Sequence, residues 1–172
     1  MILKFGTLEI PLLAALDIEQ TYPPIGGEAL LRTVSGAGIK QMTWRKTRIV
    51  TTGSGWLPAG LDTLDTAATL AIACVVPRTV PAVFATRQAT LPAARRSDSG
   101  HLPWGVAVMP DNSVIVTPAT MAGNVATLDA VANAVSYKAL YLPLITCWAM
   151  RPTDSGTPGD ASYRWEITAE EA

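Results

Sequence analysis

Histidine is almost missing from this chain, with one imidazole, His101, in 172 residues. There are two cysteines and two phenylalanines, and 16% of residues are charged, against roughly 25% in an ordinary soluble domain. Each shortage excludes something. One His and two well-separated Cys do not make a zinc site, so no metal is expected. A disulfide-stapled miniprotein needs more cysteines than Cys74 and Cys147. Both lie in apolar runs and read as buried thiols, with a disulfide between them left open. The formal net charge of -1 lacks the basic excess of a nucleic-acid coat, and no specific nucleic-acid binding is expected. Disorder requires low hydrophobicity and high net charge, whereas 49% of these residues are hydrophobic. No 18-residue apolar window escapes proline and charge, so no membrane span is expected. The start, Met1 to Leu16, does not read as a signal peptide, because Glu9 and Pro11 interrupt its apolar run.

Proline and glycine are what the chain has instead, 13 of each. A mid-helix proline costs about 3 kcal/mol, and the even spread of prolines leaves little room for long helices. Strand signals are frequent. Met42–Thr52 is rich in β-branched residues, and Leu70–Val76 is a short apolar run stopped by Pro77. Trp104–Met109 and Ser113–Thr117 flank the turn Pro110-Asp111-Asn112 and predict a hairpin. Leu140–Trp148 is continuously apolar and reads as one strand covered on both faces, with Pro143 at a bulge or edge. Ser162–Thr168 alternates, with Tyr163, Trp165 and Ile167 on one face. The Arg151–Ala161 loop joins these last two strands. Val125, Leu128, Val131 or Ala132, and Val135 repeat at helical spacing after Asn124, predicting one short helix at about 124–135. Phe84–Leu102 reads as a long loop. The expectation is a single β-rich domain over residues 1–172, a twisted β-sandwich or barrel with long Pro/Gly-rich loops.

No catalytic constellation emerges. His101 has Ser97, Asp98 and Ser99 nearby, but adjacency in one loop is not the cross-fold geometry of a Ser-His-Asp machine. Ser35-Gly36-Ala37-Gly38 and Thr52-Gly53-Ser54-Gly55 lack the Lys-Ser/Thr of a phosphate-binding loop and read as turns. Asp62 and Asp65 suit turn or capping roles. No catalytic residue and no cofactor is expected.

Charge is separated along the chain. Leu30–Leu61 has no acid and holds Arg32, Lys40, Arg45, Lys46 and Arg48. Thr66–Ser97 has none and holds Arg78, Arg87, Arg95 and Arg96. Asp154, Asp160, Glu166, Glu170 and Glu171 crowd the end. Ordinary pairing within the molecule accounts for such a pattern, and so does head-to-tail association of basic and acidic edges, which closes into rings when the rotation permits. The candidate protein–protein contacts are therefore Arg45, Lys46, Arg48, Arg87, Arg95, Arg96, Glu166, Glu170 and Glu171. Five Trp, and nine Arg against four Lys, suit an interface protein.

Ile2-Leu3-Lys4-Phe5-Gly6, Gly55-Trp56-Leu57-Pro58-Ala59-Gly60-Leu61-Asp62-Thr63-Leu64-Asp65, Cys74-Val75-Val76-Pro77-Arg78, Tyr141-Leu142-Pro143-Leu144 and Tyr163–Glu171 together resemble small structural proteins of bacteriophage tails, notably tail-tube-end and baseplate components. The resemblance spans about half the chain. It implies a non-enzymatic ring or adaptor protein, made in the host cytoplasm and carried in the virion. Its partners would be other copies of itself and neighbouring tail proteins of tube, sheath or hub. The alternative is a β-barrel binding module for a small ligand or carbohydrate, with Trp56, Trp104 or Trp148 as a stacking platform.

Overall fold

The computed structural model describes residues 2–172. It is mainly β, built of antiparallel sheets. In chain order the strands are β1 Lys4–Phe5, β2 Leu8–Glu9, β3 Asp17–Thr21, β4 Pro24–Arg32, β5 Gly38–Gly55, β6 Thr69–Ala73, β7 Arg78–Pro81 and β8 Gln88–Thr90. There follow β9 Trp104–Val108, β10 Val114–Thr117, β11 Ala119–Ala122, β12 Val125–Leu128, β13 Ser136–Tyr141, β14 Leu144–Ala149, β15 Thr153–Thr157 and β16 Ser162–Glu171. Among the described residues the only helical segments are short 3-10 turns, and no helix is long and apolar enough to cross a membrane. The chain divides into two compact units. One comprises the segment through Glu9 with Ala71–Ile145, the other Ile10–Leu70 with Thr146–Ala172.

The first unit holds two sheets with strand orders β10-β9-β13-β7 and β11-β12-β8. Ala107 of β9 and Tyr137, Ala139 and Tyr141 of β13 share one buried cluster with Ala89 of β8 and Ala126 and Leu128 of β12. This is sandwich-like packing, with small and large side chains interleaved. Gly105 allows it: a Cβ there would come 2.6 Å from a Leu128 methyl. The expected β9–β10 hairpin is present, with Val108 opposite Val114.

The predicted helix at 124–135 is corrected. Val125–Leu128 is β12, paired with β11 through Ala122 opposite Val125. Gly123 has φ +60° and begins a two-residue Gly-Asn turn, the geometry a tight hairpin demands at that position. Turn chemistry and β-branched residues thus override an apolar spacing of 3 and 4 that is too short to nucleate a helix. The continuous strand expected at Leu140–Trp148 is two strands, β13 and β14, broken at the buried Leu142-Pro143. Pro143 has no N–H for a ladder, and its carbonyl accepts from the Cys74 N–H at 3.0 Å. Nor is the run covered on both faces: Ile145, Cys147 and Ala149 are buried while Leu144 and Trp148 are exposed. The expected Phe84–Leu102 loop contains β8. Cys74 and Cys147 are both buried, as expected.

The second unit is organised by β5, whose 18 residues do two different things. Its second half is an interior strand, with β3 on one side and β16 on the other; β16 also pairs with β14 and β15. Ile49, Thr51, Trp165, Ile167 and Ala169 face inward and are buried. The buried Gln20 amide donates to Thr51 Oγ1 at 2.9 Å. The segment Thr52-Gly53-Ser54-Gly55, expected as a turn, lies within this strand. Its glycines serve packing instead. A Cβ on Gly53 would meet the Trp165 ring at 2.2 Å, and one on Gly55 would meet the Leu13 carbonyl oxygen at 2.1 Å. Trp165 lies over Gly53, its cross-strand partner, and donates its indole N–H to the Ala14 carbonyl at 2.8 Å.

Candidate interaction surface

The first half of β5 leaves the sheet and pairs only with β4. From Pro24 opposite Thr47 to Arg32 opposite Gly38, the two strands make a long hairpin arm. Its tip is the Thr33–Ala37 turn, where Gly36 takes φ +83°. Every residue of β5 from Gly38 to Lys46 is exposed. A bulge sits at Gly27/Glu28, so Thr43 has no opposite number, and its hydroxyl donates to the Gly27 carbonyl at 2.8 Å. Gly27 is required there, since a Cβ would lie 2.4 Å from Thr43 Oγ1 and 2.8 Å from the Trp44 indole nitrogen.

The arm is not a polar hairpin. Register across the bulge places Leu30 and Met42 on one face beside Lys40 and Arg45, and Trp44 on the other beside Leu31, Ile39 and Lys46. Leu30, Met42 and Trp44 are 65%, 57% and 50% exposed, and Leu31 and Ile39, on the face of Trp44, are each 53% exposed. Monomeric soluble proteins scatter exposed apolar residues singly. Here five sit on one two-stranded element with no sheet behind it.

The outward face of the sheet is chemically opposite. Antiparallel register sets Asp17, Ser54, Arg164 and Ser155 in one row across β3, β5, β16 and β15, and Glu19, Thr52, Glu166 and Thr153 in the next. Asp17, Glu19, Arg164 and Glu166 are exposed. These rows and Asp154 line an open groove of about 470 Å³. Among the described residues the outward-facing carboxylates of Asp17, Glu19 and Glu166 enter no ion pair.

The sequence-chosen residues separate into three groups. Arg45 and Lys46 are exposed on the arm, and Glu166 lies on the outward face. Arg48 pairs with Glu170 at 2.7 Å, and the Glu171 carboxylate accepts the Thr47 N–H at 2.8 Å, so the acidic end is engaged at the base of its own arm. Arg87 donates to the Leu128 carbonyl, and Arg95 to the Gly123 carbonyl and Asn124 Oδ1. Arg96 is 1% exposed and has no surface for a neighbour. Sequence reasoning passed over Asp17, Glu19 and the apolar residues of the arm. The signal for the arm was present: a Pro-free, Gly-flanked stretch with Leu, Ile, Met and Trp set between cations. Trp56 and Trp148 are exposed and Trp104 is half-buried; none lines the groove.

Arg96 anchors the first unit. Its Nε and Nη2 donate to both Asp98 carboxylate oxygens at 3.0 and 2.7 Å. Its Nη1 donates to the carbonyls of Ile2 and Cys74 at 2.8 and 3.2 Å. His101 Nδ1 lies 2.7 Å from Asp98 Oδ2 without hydrogen-bond alignment, and its Nε2 accepts weakly from the Ile2 N–H at 3.5 Å. The Asp–His neighbours therefore belong to a clamp on the chain's start. Asp98 is held well below the ordinary aspartate range, chiefly by the Arg96 hydrogen bonds. A carboxyl depressed in the fold adds stability above its unfolded pKa, which is lost as pH falls through the folded value. We expect the thermal stability of the wild type to fall below about pH 4. Asp98→Asn should flatten that acid limb; an unchanged limb would refute the assignment.

No protein-family model matches the sequence, and comparison with curated proteins and with solved structures finds no match.

Proposed function

We propose that this chain is a non-enzymatic assembly protein that joins its neighbours through protein–protein contacts, in the phage tail or baseplate setting its sequence resemblance implies. The observation that carries this reading is the β4–β5 arm. An isolated two-stranded hairpin is marginal in water, because neither face is covered. An arm that also exposes Trp44, Met42, Leu30, Leu31 and Ile39 gains stability when a neighbour covers it. The charge-poor composition supports the same reading, since a subunit whose flanks are buried needs fewer solubilising charges.

The test replaces Glu28–Met42 by a two-residue Asn-Gly turn. Melting should shift little, because the removed residues are exposed and pack against no core. Incorporation into tail particles, followed by electron microscopy and mass spectrometry of purified particles, should be lost. Normal incorporation of the shortened chain would sink the reading.

A further inference from the structure

Resting on that reading, we infer that the arm's first partner is a second copy of this chain, and that it lies across the acidic outward face of that copy's β3-β5-β16-β15 sheet. Three observations meet here. The arm carries Arg32, Lys40, Arg45 and Lys46 against one acid, Glu28, which Lys40 already neutralises at 2.8 Å. The outward rows carry Asp17, Glu19 and Glu166 against one base, Arg164. Opposite patches of this kind fix register and raise encounter rates.

The second observation is connectivity. The arm and the centre of the acidic face are the two halves of one strand, β5. At about 3.3 Å per residue the arm half runs some 30 Å away from the face. It reaches its own face only if β5 doubles back, which would break the ladder with β16 from Arg48 to Gly55. Another copy has no such constraint. The contact is then heterologous, arm to face, and propagates into a ring or an open series according to its rotation.

The third is shape. Four strands at about 4.8 Å spacing make a face about 14 Å across, wide enough for a two-stranded ribbon. Leu30 and Met42 supply apolar area on one face of the arm, and Arg45 on that same face reaches the carboxylates. The acidic terminus is not this complement, because Glu170 and Glu171 are held by Arg48 and the Thr47 N–H of their own chain.

A charge exchange tests the pairing. One variant carries Lys40→Glu, Arg45→Glu and Lys46→Glu; a second carries Asp17→Lys, Glu19→Lys and Glu166→Lys. Self-association of the purified chains is followed by sedimentation and native mass, with circular dichroism to confirm folding. The wild type should associate, more weakly as salt rises. Each variant alone should associate about a hundredfold more weakly, since both of its surfaces then bear one sign. An equimolar mixture should recover association, because each arm again meets an opposite face. Three results overturn the inference: undiminished association of either variant alone, no recovery on mixing, or a wild type that stays monomeric. If the wild type is monomeric while arm-dependent incorporation into particles persists, the assembly reading stands and the arm's partner is a different protein. Stoichiometric binding of a single-stranded oligonucleotide by a monomeric wild type would assign the arm to nucleic acid instead.

Discussion

Arg96→Ala is expected to destabilise the first unit by about 2–4 kcal/mol, because it removes a buried guanidinium whose hydrogen bonds join separate stretches of chain, although its ion-pair partner Asp98 is half exposed. The guanidinium is 1% exposed, and its hydrogen bonds hold three separate stretches of chain: Ile2 near the start, Cys74 after β6, and Asp98 in its own loop. Truncation leaves the Ile2 and Cys74 carbonyls without this donor. Arg96→Lys should recover little, because a single ammonium does not reproduce a fork that meets the Asp98 carboxylate edge-on while its other arm meets two carbonyls. Arg95→Ala is the control. Its contacts are exposed hydrogen bonds to uncharged oxygens, and it should cost about 1 kcal/mol or less. Urea unfolding followed by near-ultraviolet circular dichroism reads all three. Equal losses at positions 95 and 96 would mean that burial of Arg96 does not govern its contribution.

The second large effect concerns Trp165. Trp165→Ala should cost about 3–5 kcal/mol, as large-to-small aromatic changes in cores do. It removes a ring 4% exposed, empties the space over Gly53 and deprives the Ala14 carbonyl of its donor. Gly53→Ala should cost about 1–3 kcal/mol by overpacking, because the new methyl lands 2.2 Å from the ring. The two changes are expected to couple. With the ring gone the Gly53 methyl has room, so the double variant should be less damaged than the two losses predict together. Thermal unfolding of the four chains measures this; simple additivity would show that glycine 53 is required for some other reason.

Both effects lie in places where local pattern and tertiary role diverge. The alternation of Ser162–Thr168 was legible, and it put Trp165 and Ile167 on the buried face where the structure has them. That the opposing strand must carry glycine was not legible, because Thr52-Gly53-Ser54-Gly55 has the composition of a turn. Only the tryptophan across the ladder makes it strand. Arg96 sits beside Arg95 in one polar loop, and nothing local distinguishes the two. Burial separates them, and burial is set by Ile2 and Cys74, which are distant in sequence. The Pro110-Asp111-Asn112 hairpin was readable because turn chemistry is local. The Gly123-Asn124 turn was equally local, but a competing helical spacing masked it.

The candidate surface divides along the same line. Sequence by itself determined that this is a mainly β chain, through proline spacing, β-branched runs and alternation, all of which act within a few residues. It also determined that charge is separated, with bases in the middle and acids at the end. Tertiary structure alone decided which of those charges face solvent. It buried Arg96, engaged Glu170 and Glu171 at the base of their own arm, left Arg45 and Lys46 open, and gathered Asp17, Glu19 and Glu166 from two strands onto one face. The physical reason is that charge is a property of residues, whereas a surface is a property of register. Antiparallel pairing across β3, β5 and β16 chooses which side chains share a face, and no stretch of sequence contains that choice.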